Sequence, residues 1–111
     1  MKIAPALILL TMLALSGPGQ AATVRELDAA ELRQATKAGD IISLKRAIEA
    51  VAKSTGGEPL EARAFEIDAV YYRIVLKRPN GKIVSVIVNA LTGEQVSKGS
   101  SVGRQLSAAA E

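Results

Sequence analysis

The chain holds neither histidine nor cysteine, so the side chains that most often serve as general base, thiol nucleophile or zinc ligand are missing from the outset. What remains for nucleophilic chemistry is serine with a lysine base. Ser43 lies near Lys45 and Lys53, and Ser97 stands beside Lys98. A dyad of this kind works only when nucleophile and base are locked together, whereas Ser43 occupies a helix-cap position and Ser97 a run of small residues. Four acids, Glu58, Glu61, Glu66 and Asp68, are near enough in sequence to suggest calcium. They lack the packed alternate-acid loop with glycine that such sites use, and read as a solvated strand rim. The expectation is a protein that is not an enzyme and has no catalytic, metal or cofactor site.

Charge narrows the partners. The 14 basic and 11 acidic residues leave a net +3, and the aromatic residues are only two Tyr and one Phe. With cations scattered among acids there is neither a basic stripe nor a stacking platform, so nucleic acid is not an expected partner.

The elements that must position any site begin after a leader. Lys2 precedes an apolar run over 3–15 that ends at Gly17-Pro18-Gly19. The run is shorter than the twenty or so apolar residues a spanning helix needs, and has the form of a cleavable signal peptide. Cleavage is expected near Ala21, giving a periplasmic or secreted protein with no stable membrane insertion afterwards. Because cysteine is absent, lipid attachment at the N-terminus and disulfides are both excluded. The organisation expected is a signal peptide over 1–21, a helical lead-in over 22–42, a domain over 43–96 and a flexible tail over 97–111. The tail is mostly Ser, Gly and Ala, and its small apolar content offsets little ordering entropy.

Asp28, with Glu31 three residues on, forms the signature of a capping box for a helix over 28–38, stapled by Leu27 and Leu32 and stopped by Gly39. Its alanine-rich face predicts weak docking. Leu44, Ala47, Ile48, Val51 and Thr55 recur three and four apart, predicting a second helix that Ser43 caps and Gly56-Gly57 ends. Past Pro59 the period becomes two. Strands are predicted around 60–64, 72–76 and 84–88, with a hairpin turn at Arg78-Pro79-Asn80-Gly81 and a short last strand over 94–96. A helix stripe and a sheet face each need cover, so the fold class is α+β: a helix packed on a three- to four-stranded antiparallel sheet, with a weaker N-terminal helix. The expected core sets Leu44, Ile48 and Val51 against Tyr72, Ile74, Leu76, Val84, Val86 and Val88.

The run over 43–96 resembles a PepSY domain. The resemblance lies in the order of elements: a helix, a Gly-bearing loop, the strand Tyr72-Arg73-Ile74-Val75-Leu76, the turn Asn80-Gly81, and the closing Asn89-Ala90-Leu91-Thr92-Gly93-Glu94-Gln95-Val96. The lead-in from Ala38 to Leu44 also resembles that of small periplasmic members. Asn89 stands where an aspartate is common, and Asp68-Ala69 where a Gly-containing turn is usual. Asn serves the first position equally well as a turn cap. The resemblance implies an extracytoplasmic module that modulates peptidases or sensors by binding, with no catalytic residues to carry over.

The other face of the sheet is then the informative surface. Ile67, Tyr71, Val75, Ile83 and Ile87 should point away from the long helix, too apolar a set for plain solvent. One reading lays the helix over 28–38 across it or leaves it a sparse apolar surface. The other makes it a partner face built from Ile67, Tyr71, Arg73, Val75 and Ile87, with Arg73 and Lys77 at its rim. An open edge on the first strand, from Leu60 to Ile67, would further allow an extended peptide to add as a strand. Two functions compete: a non-catalytic binding module whose protein partner is an envelope peptidase or sensor ectodomain, and a structural or self-associating envelope protein, a homo-oligomer, without a regulated target.

Overall fold

The computed structural model describes residues 23–109; the expected signal peptide lies outside the described residues. The chain runs β1 (Arg25–Glu26), α1 (Ala29–Lys37), α2 (Leu44–Thr55), β2 (Glu58–Ile67), β3 (Ala69–Lys77), β4 (Ile83–Asn89), β5 (Gln95–Val96) and α3 (Ser101–Ala109). The strands form one antiparallel sheet in the order β1-β2-β3-β4-β5. The fold is α+β with helix packed on sheet.

Local chemistry accounts for the boundaries. The Asp28 carboxylate accepts from Glu31 N at 2.8 Å while Glu31 Oε1 accepts from Asp28 N at 3.0 Å, so the capping box starts α1 as its sequence predicts. Ser43 Oγ accepts from Arg46 N at 3.2 Å and starts α2, which ends where Gly56 takes φ 70°, a left-handed cap that costs glycine little. The β2–β3 turn passes through Asp68 at φ 60°, a conformation Asp tolerates better than most residues. After β4, Asn89 Oδ1 accepts from Leu91 N at 2.8 Å and Thr92 N at 3.2 Å, and Gly93 N closes on Asn89 O at 2.8 Å.

On the first face of the sheet, α2 presents Ala47 and Val51 to Ala64, Tyr72, Ile74, Leu76, Val88 and Ala90, all buried. Leu44, Ile48, Val84 and Val86, expected in the core, are half-buried around it. The core centre sits instead on the alanines that let α2 come close. The phenol of Tyr72 donates to Ile42 O at 2.6 Å, which fixes the segment leading into α2. α1 lies on this same face through Leu32 and buries no residue, so it does not fold over the second face.

α3 takes that place, and it corrects the expectation of a mobile tail. Leu106 is wholly buried against Phe65, Ile67 and Ile87, with Val24, Tyr71, Val96 and Val102 packed around them. Ser100 Oγ accepts from Gly103 N at 3.0 Å, capping the helix. A Cβ at Gly103 would sit 2.3 Å from Ser97 O and 2.6 Å from Lys98 O. Only glycine allows the helix to lie this close to its own lead-in loop.

Candidate functional site

The pairing of β2, β3 and β4 arranges the second face in rows. Phe65, Tyr71 and Asn89 form one row; Arg63, Arg73 and Ile87 the next; Glu61, Val75 and Ser85 a third; and Glu58, Lys77 and Ile83 the last. α3 covers the first row and the Ile87 end of the second. The structure therefore brings Ile67, Tyr71, Arg73, Val75 and Ile87 to one face, in two environments. Ile67 and Ile87 are buried beneath α3 and Tyr71 is half-buried beside it, so with α3 in place the two isoleucines are not offered to a partner. Arg73, Val75 and Ser85 lie past the helix, half-buried, and Ile83 is 62% exposed.

The ends of this open strip differ in their backbone. On the β2 side, Arg25 and Glu26 pair with Glu66 and Phe65, and Leu27 N donates to Ala64 O at 2.9 Å. Further down, Pro59 has no N–H to offer and the register slips between Pro59 and Glu61. Proline and a bulge are the usual means of blunting an edge; of the open edge expected from Leu60 to Ile67, β1 closes residues 64–66, while among the described residues no strand lies beside residues 60–63. On the other side, β5 pairs only with Ile87 and Val88. Among the described residues, no strand lies beyond residues 83–86 of β4.

Charge on the sheet is also unequal. Arg25 bridges Glu31 at 2.5 Å and Glu66 at 2.7 Å, tying β1 to α1 and β2. Arg63 forks onto Glu26 through contacts of 3.0 and 2.8 Å and lies 5.3 Å from the centre of the Phe65 ring. These contacts pull the Glu26 carboxyl below the usual range through its bond from Arg63. Glu31 is lowered chiefly by the Asp28 N–H and then by Arg25. Burial pushes the Tyr72 phenol upward, consistent with its staying a neutral donor. The Arg73 side chain has no hydrogen bond or ion pair among the described residues, and it stands directly across the ladder from Arg63.

The residues weighed for chemistry are not brought together. Ser43 Oγ caps α2, and Ser97 Oγ accepts from Gly99 N at 3.1 Å. Glu66 is held in the Arg25 bridge on the first face, while Glu61 lies on the second. Among the described residues no three His, Cys, Asp or Glu side chains converge as for a metal ion, and no helix is long and apolar enough to cross a membrane. An open groove of about 630 Å³ runs between α1 and the first face, lined by Arg25, Leu27, Glu31, Gln34, Glu66 and Val70 among others. Its charged groups are largely occupied with one another. Sequence reasoning missed α3, although Val102 and Leu106 at i and i+4 behind the Ser100 cap were a readable signal.

No family model matches the chain, and no curated protein or solved structure matches it either.

Proposed function

We propose that the chain is an exported, non-catalytic binding module of the PepSY kind, acting on an envelope peptidase or sensor protein. The observation that carries this reading is the half-covered second face. α3 shields Phe65, Ile67 and Ile87, yet Arg73, Val75, Ser85 and Ile83 remain open beside it. A sheet face carrying valine, isoleucine and an unpaired guanidinium is a poor solvent surface and a good contact surface. The element order over residues 43–96 and the apolar leader support the family and the compartment. Export is tested by the intact mass of the secreted species, which should begin at Ala22 or Thr23; retention of Lys2 would refute it. Binding is tested by placing a photocrosslinking residue at Val75 in cells. Adducts with one envelope protein, absent when the crosslinker stands at exposed Leu91, support the module.

A second reading, self-association, is favoured by the free edge over residues 83–86. Two copies pairing antiparallel there would continue the sheet, and exposed Ile83 would be shielded. Sedimentation of the full chain separates the two, since this reading requires a dimer that Ser85→Pro, removing an N–H within β4, dissolves.

A further inference from the structure

We propose that the open strip on the second face takes an acidic amphipathic helix of the partner, laid beside α3 with a carboxylate on Arg73. This rests on the binding-module reading and specifies its ligand chemistry.

Three observations lead there. The first is charge. The sheet's other arginines are matched to acids, Arg25 to Glu31 and Glu66, and Arg63 to Glu26. Arg73 lies on the central strand with Arg63 on one side and Ile87 on the other, half-buried and without an acid among the described residues. Like charges directly opposite on a sheet repel, and a guanidinium drawn partly out of water gains most from a carboxylate fork. Glu61 is on the same face but lies toward Arg63, whose charge it supports. Lys77, two positions beyond Val75 on β3, is a further cation and is exposed; Glu58 stands opposite it across the ladder, but the two form no ion pair among the described residues.

The second is apolar content. Val75 and Ile83 flank the cations in adjacent rows, so the occupant must alternate apolar and acidic groups.

The third is shape. α3 stands on the sheet as a layer about 10 Å thick, the width of a helix, and covers only the upper rows. A flat bilayer would rest on α3 before reaching recessed Arg73, whereas a single helix fills the step and completes the layer. A strand has less to join, because the β2 edge is closed by β1 over residues 64–66 and interrupted by Pro59 and the register slip below, which leaves only a short free stretch.

The test uses the full isotope-labelled chain and two synthetic amphipathic peptides that share a leucine stripe, one with Glu and one with Lys at its centre. The Glu peptide should shift the amides of Arg73, Val75, Ile83 and Ser85 and bind at least about tenfold tighter than its twin, the share expected of one charge-assisted contact. Arg73→Glu should reverse the preference, and Arg73→Ala should erase it. Equal affinities, or shifts confined to α1, would overturn the proposal. Anionic phosphatidylglycerol vesicles form the second arm, and binding there that depends on Arg73 while neither peptide binds would assign the strip to lipid instead. Sequencing the segment crosslinked at Val75 keeps the two levels apart: a segment without acid refutes the acidic helix and leaves the module intact, and no adduct at all refutes the module.

Discussion

Replacing Gly103 by alanine should release α3 while leaving the rest of the fold standing. The added methyl would meet carbonyl oxygens of the 97–98 segment at 2.3 and 2.6 Å, and backbone on both sides cannot yield as a flexible side chain would. The helix must move outward, which withdraws Leu106 from Phe65, Ile67 and Ile87. Full burial of a leucine contributes about 1.5–3 kcal/mol, and partial burial of Val102 about 1 more. The loss is bounded by that contact, so about 2–4 kcal/mol is expected. At the lower end this lowers Tm by roughly 8–16 °C for a domain of this size. Amide exchange should quicken at Leu106 and Ile87 and stay slow at Ile74 and Leu76, which α2 covers. An uncharged fluorescent dye that binds apolar surface should brighten. Ser107→Ala, at an exposed position of the same helix, serves as the control and should change neither readout. If Gly103→Ala melts with the unaltered chain and keeps the amide shifts of residues 102–106, then close approach of α3 to its lead-in does not hold it on the sheet.

Other perturbations probe the remaining layers. Tyr72→Phe removes the donor to Ile42 O and should cost about 1–2 kcal/mol in urea unfolding; an unchanged midpoint would show that the bond adds nothing. Ile74→Ala, at a fully buried site, should cost about 2–5 kcal/mol, while Ile83→Ala should stay within about 0.5 kcal/mol; similar losses would mean the two faces are misassigned. Glu26 and Glu31 are depressed in the folded chain. Their contribution is present above the ordinary glutamate value of about 4.3 and is lost as pH falls through their folded-state values. The protection factor of Leu27 N, its exchange rate taken relative to the intrinsic rate at each pH, should therefore fall on acidification before those of the other sheet amides do, and protection that falls uniformly across that range would contradict it.

The parts of the fold legible in sequence are those where one residue pattern decides the outcome. Leu44, Ala47, Ile48 and Val51 repeat at helical spacing whatever surrounds them, and the alternation through Tyr72, Ile74 and Leu76 permits only a strand. The side of β3 that each residue faces followed from parity alone, which is why Arg73 and Val75 were correctly set together. β1 was not legible, because Arg25 and Glu26 carry no strand signature and pair only through Glu66 and Phe65, about forty residues away. α3 was hidden by composition. Its Ser, Gly and Ala bury little themselves, and two apolar residues suffice only because Phe65, Ile67 and Ile87 already wait on the sheet. The β2 edge looked open along its whole length because β1, which covers residues 64–66 of it, carries no strand signature of its own.

The sequential order of the strands has a consequence for how the chain assembles. From α2 to β5 each strand pairs with the next along the chain, so the loops to be closed are short and folding over that span should be rapid. β1 also pairs with the next strand, but across the roughly forty residues that hold α1 and α2. It precedes everything it touches, and its ladder partner exists only once β2 has formed, so a chain released N-terminus first carries Arg25–Leu27 as an unpaired flank until the hairpin arrives. The salt-bridged corner of β1, α1 and β2 closes the longest loop in the sheet, and its local opening would uncover residues 64–66 of the β2 edge while α2 stays on the core.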